Sequence, residues 1–245
     1  MGTQIQGSRL IKFDNSSPKY IVPDSVAEIA ELAFSGCDSL IALSIPDSVR
    51  RIGNYAFADC YSLRELKLPA SVEAIGAGLF QKCWNIRELC LPEGLTVLGT
   101  DMFEGCHALY AVTIPDSVET IERTAFSTCR NLRKVYTDPA NIHRLPPSAR
   151  YLAALTYMEE HQPEEGSSVI DGYTEGRSKS LLDLAINRRS SDAVRYMLAR
   201  GLIKPEALRE YLTKSADTGR VEITALLLEY TRDDHAGGPD PDPFA

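Results

Sequence analysis

The sequence predicts an α/β fold in which a solenoid of short repeated coils is followed by a small all-helical region. Three residue types, Cys, Pro and Phe, each recur five times at an interval of 23 residues between residues 23 and 129. A fixed period of this length indicates stacked repeats, none of which can bury a core alone. The period ends after residue 136, and capped apolar segments with helical spacing take its place.

Composition and charge exclude several classes of protein. The 245 residues are 44% hydrophobic and carry a net charge of −8, which is ordinary for a folded soluble protein. The acidic excess argues against a general nucleic-acid binder. No run of about eighteen apolar residues occurs, so we expect no membrane insertion. The first residues lack a signal-peptide pattern, so the cytoplasm is slightly favoured, and the cell surface is expected only if a leader precedes this chain.

Each repeat unit combines a strand signal, a proline and a turn. Apolar residues two positions apart, such as Leu66 and Leu68, have the period of a short strand with its apolar side inward. The proline that follows ends the strand because it has no N–H for the ladder. In residues 49–57 the apolar positions lie three and five residues apart, which predicts a short helical or irregular turn on the outer face.

Over residues 20–136 the units share the pattern L-x-x-L-x-I-P-x-S-V-x-x-I-x-x-x-A-F-x-x-C-x-x. This pattern resembles the BspA-like bacterial leucine-rich repeat, whose units have 23 residues. The resemblance implies five repeats in a right-handed, curved solenoid with a parallel concave sheet, and binding along that extended surface. A few positions depart from the pattern: Leu79 and Met102 replace Ala, Ala70 replaces Asp, and residues 93–95 read Glu-Gly-Leu instead of Asp-Ser-Val.

The segment before the repeats is predicted to close one end of the stack. A solenoid would expose apolar core at its end without such a cap. Residues 1–19 are therefore expected to form an N-terminal cap, with a strand at residues 9–13 and a turn at residues 14–18.

The C-terminal third is predicted to be helical after a linker at residues 137–148. Residues 149–231 contain helix caps and apolar faces, interrupted by a polar stretch at 161–179 that predicts a loop. Residues 181–200 align with the segment 30 positions later, and this pair resembles two degenerate ankyrin repeats; a plain helical cap is the alternative. Residues 232–245 are acidic and rich in Pro and Gly, which predicts a disordered tail.

The sequence contains no motif that predicts catalysis. GxSxG, HExxH and GxxxxGK[ST] are all absent, and no histidine has a partner at a metal-ligand spacing. We therefore expect no enzyme activity, no cofactor and no bound metal.

The cysteines have two interpretations. Stacked coils would bring the five repeated sulfurs within about 5 Å of one another, so a disulfide or metal ladder is conceivable. The favoured interpretation is that each Cys is a small hydrophobe that fills its coil. Cys90 lies between Leu89 and Leu91, so it is predicted to point outward. It is the best candidate for a reactive thiol among the six, but an inert exposed thiol is the favoured interpretation.

The outward rows of the stack carry the candidate partner-binding residues. Trp, Tyr and Arg are the residue types found most often at interface hot spots. The candidates are Tyr61, Arg64, Trp84, Arg87, His107, Tyr110, Arg130, Arg133 and Tyr136. They predict a non-enzymatic interaction module that binds another protein or a peptide on the concave face. The alternatives are a cell-surface adhesion or carbohydrate-binding protein, and side chains that only stack on each other in solvent.

Overall fold

The computed structural model describes residues 2–233, and the chain divides into two compact units that meet at Ala153 and Ala154. The first unit contains all thirteen described strands, and the second is helical. The predicted class, a repeat solenoid with a parallel sheet followed by helices, is confirmed. Residues 234–245, which make up most of the predicted tail, lie outside the described residues.

The first unit begins with an antiparallel hairpin. Strands β1 (Gln4–Gln6) and β2 (Arg9–Lys12) pair across a turn in which Gly7 has a φ of 58°. Such a positive φ is accessible to glycine without a steric penalty. Strand β2 also pairs in parallel with β4 (Glu28–Ile29), so the hairpin continues the stack at its first coil.

Six parallel three-residue strands lie on one side of the coils in two groups of three, one strand more than the five that the repeat count predicts. In each strand the middle residue points inward and the outer two point outward, so that Leu43 and Leu89 are buried. The register places each residue opposite the one 23 positions later, as with Leu43 and Leu66. The strands are β3 (Lys19–Ile21), β5 (Ala42–Ser44), β7 (Glu65–Lys67), β9 (Glu88–Cys90), β11 (Ala111–Thr113) and β13 (Lys134–Tyr136).

A second set of strands, each two residues long, lies where the sequence predicts either a short helical turn or an irregular turn. Besides β4, these strands are β6 (Arg51–Ile52), β8 (Ala74–Ile75), β10 (Val97–Leu98) and β12 (Thr120–Ile121). The segment after each of these strands is an irregular turn, because some of its residues lie in the left-handed region. Tyr55 and Asp101 have φ values of 51° and 56°, and Asp59 has 58°. Helical turns need negative φ, so these positions exclude a helix.

The core is built on ladders of identical residues. Phe34, Phe57, Phe80, Phe103 and Phe126 stack with ring centroids 5.3 to 5.7 Å apart. Phe13 of the N-terminal segment extends this ladder, with its centroid 5.2 Å from that of Phe34. The first unit therefore has one continuous apolar core from its first coil to its last.

The repeated cysteines form a second ladder, of free thiols. The Sγ of Cys60 donates to the carbonyl of Phe34 at 3.1 Å, and Cys83, Cys106 and Cys129 repeat this bond one coil further each time at 3.0 Å. Burial raises the pKa of Cys60 to about 12. The ladder thiols are therefore protonated at neutral pH and able to donate, a role in addition to the packing role that the sequence favoured.

Both strand sets are interrupted at the same junction between coils. Among the described strands, β7 does not pair with β9, and β8 does not pair with β10. Three backbone bonds still join these coils on the turn side, one of them from the Phe80 N–H to the Met102 carbonyl at 2.9 Å. This junction holds the bulky pair Leu79 and Met102 in place of Ala, and it also holds Gly94 in place of Ser.

The glycine at this junction removes a hydrogen bond that the two preceding coils make. Ser48 Oγ donates to the Val26 carbonyl at 2.7 Å, and Ser71 Oγ donates to the Val49 carbonyl at 2.8 Å. Gly94 has no hydroxyl to offer to Val72. The departures noted in the sequence thus coincide with the place where the strand ladders separate.

The C-terminal part consists of six α-helices and two short 3-10 helices, Pro139–Arg144 and Pro163–Glu165. None of these helices, within residues 2–233, combines the length and apolar character that crossing a membrane requires. The α-helices are α1 (Pro147–Glu160), α2 (Ser168–Glu175), α3 (Ser178–Arg188), α4 (Ser191–Ala199), α5 (Pro205–Asp217) and α6 (Val221–Asp233).

Helix α2 and the second 3-10 helix lie in the stretch that the sequence analysis assigned to a loop. That prediction was wrong because polar residues surround the two side chains of α2 that are buried, Ile170 and Thr174. The 30-residue internal repeat has a structural counterpart, since α3–α4 and α5–α6 are equivalent pairs. The turn between α3 and α4 contains Arg189, and the turn between α5 and α6 contains Gly219, 30 positions later; their φ values are 58° and 65°.

Candidate interaction surface

The outward residues of the six parallel strands form one surface, called here the strand face. Its outward side chains are mixed in charge and polarity, with Glu65 and Lys67 on one strand and Glu88 and Cys90 on the next. An open depression of about 900 Å³ lies over β3, β5, β7 and the end of β9. Ile21 of β3 is 74% exposed at this depression, which makes it the most exposed apolar side chain of the sheet.

A second surface, called here the turn edge, consists of residues 61–64, 84–87, 107–110 and 130–133. These segments follow the repeated cysteines and lead into the strands, so they recur at the same interval of 23 residues. Their first residues form a stack of rings: the centroids of Tyr61 and Trp84 lie 4.3 Å apart, and those of Trp84 and His107 lie 6.3 Å apart. Trp84 is 45% exposed, so one side of the stack remains open.

Hydrogen bonds from asparagine side chains hold the turn edge in place. Asn85 Nδ2 donates to the Tyr61 carbonyl, and Asn131 Nδ2 donates to the His107 carbonyl, both at 2.6 Å. The hydroxyl of Tyr61 donates to Asp59 Oδ1 at 3.0 Å, and this bond is the main reason why the pKa of Tyr61 is raised. The ring stack is therefore held by its own backbone as well as by ring contacts.

The last residues of the same segments form a row that is mostly arginine. This row contains Arg64, Arg87, Tyr110 and Arg133, all exposed. The Tyr110 N–H donates to the Arg87 carbonyl at 2.7 Å, and the Arg133 N–H donates to the Tyr110 carbonyl at 2.8 Å. The part of the row from Arg87 to Arg133 therefore lies on a hydrogen-bonded backbone beside the ring stack.

The structure brings together eight of the nine residues that the sequence predicts as partner-binding, because all eight lie in the four segments of the turn edge. The ninth, Tyr136, lies apart on the outward row of β13, where Lys134 Nζ is 5.8 Å from its ring centroid. That these residues bind a partner stays a prediction.

Sequence reasoning missed the first strand, β3, and with it Ile21 and Lys19 at the depression. A signal was present, because Tyr20 and Val22 lie two positions apart directly before Pro23. Cys90 is exposed as predicted, and its Sγ lies 3.7 Å from Thr113 Oγ1.

The surface offers groups for non-covalent binding. Planar rings can stack on an incoming side chain, and guanidinium groups can make paired hydrogen bonds to a carboxylate. Within residues 2–233, no three His, Cys, Asp or Glu side chains converge in a way that would hold a metal ion.

Comparison with known proteins matches the repeated part of this chain to a family. The model of the BspA type leucine rich repeat region matches residues 12–133 in six copies. This match confirms the resemblance stated from the sequence, and the six copies equal the number of three-residue strands. Among curated proteins, none matches the chain. The ankyrin-like character of the helical region stays a prediction.

Two solved structures illustrate the likeness. A leucine rich cell surface protein from Faecalibacterium prausnitzii is 30% identical with a TM-score of 0.54, and the alignment covers 56% of this chain and 38% of that one. A leucine rich repeat protein from T. pallidum is 33% identical with a TM-score of 0.52, and the alignment covers 54% of this chain and 64% of that one. The match therefore spans less than two thirds of either relative.

Proposed function

Because residues 12–133 of this protein belong to the BspA-type leucine-rich repeat family, we propose that it is a non-enzymatic interaction module that binds another protein or a peptide on its concave strand face and the adjoining turn edge. One observation carries this proposal: Tyr61, Trp84 and His107 form a ring stack, exposed at Trp84 and His107, beside a row that is mostly arginine. Rings and guanidinium groups that a rigid backbone holds in place are the usual anchors of protein interfaces.

The mechanism is surface complementarity on a preformed site. Successive coils present their side chains about 4.8 Å apart. Strands β7 and β9 do not pair, but the Asn85 side chain bridges their leading segments by its bond to the Tyr61 carbonyl, so little conformational freedom is lost when a partner binds. Trp84 and Tyr61 supply flat apolar area, and Arg87 supplies paired hydrogen-bond donors.

Affinity capture with matched variants tests this function. Immobilised wild-type protein, the double variant Tyr61→Ala with Trp84→Ala, and Arg123→Ala are each incubated with host extract, and bound proteins are identified by mass spectrometry. Arg123 is exposed and lies outside both surfaces, so its variant controls for a general surface change. We expect a protein that wild type and Arg123→Ala retain and the double variant loses. Equal recovery by all three proteins, with the fold preserved by circular dichroism, would overturn the proposal.

A second candidate function is cell-surface adhesion or carbohydrate binding. It is favoured by the relative from Faecalibacterium prausnitzii, which is described as a cell surface protein. Exposed rings such as Trp84 also stack on sugars. A glycan array probed with wild type and with Trp84→Ala separates the two candidates: binding of a glycan that depends on Trp84 would favour adhesion.

A further inference from the structure

The turn edge carries a positive charge that the rest of the molecule does not share. Its four segments contain four arginines and no Asp or Glu, whereas the whole chain has a net charge of −8. The arginines are Arg64, Arg87, Arg130 and Arg133, and all four are exposed.

Three of these arginines have no anionic partner within the part of the chain that the structure describes. Arg64, Arg87 and Arg130 take part in no ion pair there, although Glu65 and Glu88 are next to the first two in sequence. Other exposed arginines do pair across coils, as Arg9 does with Glu28 at 2.9 Å. The guanidinium groups of these three arginines are thus available to a carboxylate from outside.

We infer that the turn edge binds an acidic peptide segment in an extended conformation, with carboxylates at alternate positions and an apolar side chain against Trp84. This inference rests on the proposed function and names the chemistry of the partner. Alternate residues of an extended peptide lie about 6.7 Å apart on one side, and successive coils lie about 4.8 Å apart. The long, flexible arginine side chains close that difference, and each can bind a carboxylate with two hydrogen bonds.

Charge placement favours a peptide over a nucleic acid. Glu65 and Glu88 lie beside Arg64 and Arg87, so a continuous chain of phosphates along the arginine row would pass close to two carboxylates. A peptide avoids this repulsion, because the residues between its carboxylates can be neutral or basic. The acidic net charge of the chain also opposes the long-range attraction of a polyanion.

Trp84 makes the inference directly measurable, because it is the single tryptophan of the chain and lies in the ring stack. The probe is a synthetic peptide with Glu at alternate positions around a central Tyr; its analogues carry Gln or Lys in place of Glu. Trp84 emission is followed as each peptide is added to the full chain at low and at high salt.

We expect the change in Trp84 emission to saturate as the Glu peptide is added. The Gln and Lys analogues should bind at least about tenfold more weakly. The double variant Arg64→Gln with Arg87→Gln keeps the reporter and should weaken binding of the Glu peptide by about tenfold or more. The control Arg123→Gln removes the same kind of charge elsewhere and should leave binding unchanged. Added salt should weaken binding to wild type more than to the double variant.

Several results would overturn the inference. Equal affinity for the Glu and Gln peptides, no emission change with the Glu peptide, or unchanged binding by the double arginine variant each contradict it. Preferential binding of an oligodeoxythymidylate would point to a nucleic acid instead. If the partner captured in the Trp84-dependent experiment above is retained by Arg64→Gln with Arg87→Gln, the acidic-peptide inference fails while the proposed function stands.

Discussion

The thiol of Cys83 donates a hydrogen bond to the backbone carbonyl of Phe57, one coil earlier, at 3.0 Å. Both residues are fully buried, so this bond satisfies a carbonyl that water cannot reach. The same bond is made by Cys60, Cys106 and Cys129, which gives a physical reason for a cysteine in these four coils: it is small, apolar and still a donor.

Replacing Cys83 by Ala should destabilise the first unit. The change leaves the Phe57 carbonyl without its donor and creates a small void, and an unsatisfied buried polar group alone costs about 1–3 kcal/mol. We expect the free energy of unfolding to fall by about that amount in urea titrations followed by Trp84 fluorescence. Cys90→Ala is the matched control, because Cys90 is exposed and its loss should change stability by less than about 0.5 kcal/mol. Equal stability of the two variants would show that the thiol bond contributes nothing.

The raised thiol pKa values predict a loss of stability at alkaline pH. Burial raises the pKa of Cys60 from its ordinary 9.0 to about 12, so the unfolded chain loses this proton first as the pH rises. The contribution of the buried thiol is fully present below about pH 9 and is lost as the pH approaches about 12, by up to about 1.4 kcal/mol per pH unit.

Comparison of wild type with Cys60→Ala isolates this effect from the titration of Lys and Tyr. Between about pH 9 and pH 11 the stability of wild type should fall more steeply than that of the variant. Parallel curves over this range would mean that the Cys60 thiol has an ordinary pKa in the folded protein.

Gly94→Ser should stabilise the junction at which the strand ladders separate. The new hydroxyl would reach the Val72 carbonyl as Ser71 reaches Val49, and a hydrogen bond of this kind contributes about 0.5–1.5 kcal/mol. A Cβ at Gly94 would lie 3.0 Å from the Val72 oxygen, so that carbonyl must shift slightly. We expect an increase of about 1 kcal/mol in the free energy of unfolding. A decrease would show that the junction cannot adjust.

Much of the fold could be predicted because its determining residues repeat. The phenylalanine and cysteine ladders lie at one position per coil, so the period alone identifies the stack and its core. The first strand, β3, was missed because Tyr20 stands where later units have Leu or Val. The two-residue strands were missed because their pairing depends on the neighbouring coil rather than on local pattern, and because Tyr55 and Asp101 adopt left-handed conformations without being glycine.

Part of the candidate surface could also be predicted from the sequence. Rows of side chains follow from the period, so the neighbouring positions of Tyr61, Trp84 and His107 could be named in advance. Their ring distances and the bonds from Asn85 and Asn131 could not, because both depend on how far each side chain reaches across a coil. The depression beside Ile21 requires the three-dimensional arrangement of several strands.

The central claim is that the exposed ring stack and its neighbouring arginines contact a protein partner. The most direct measurement places a photo-crosslinking amino acid at position 84, irradiates the full chain in host extract, and identifies the adducts by mass spectrometry. A matched protein carries the crosslinker at exposed position 123, outside both surfaces. The account predicts a reproducible protein adduct from position 84 that position 123 does not give. Adducts that are the same from both positions, or none from position 84, would contradict it.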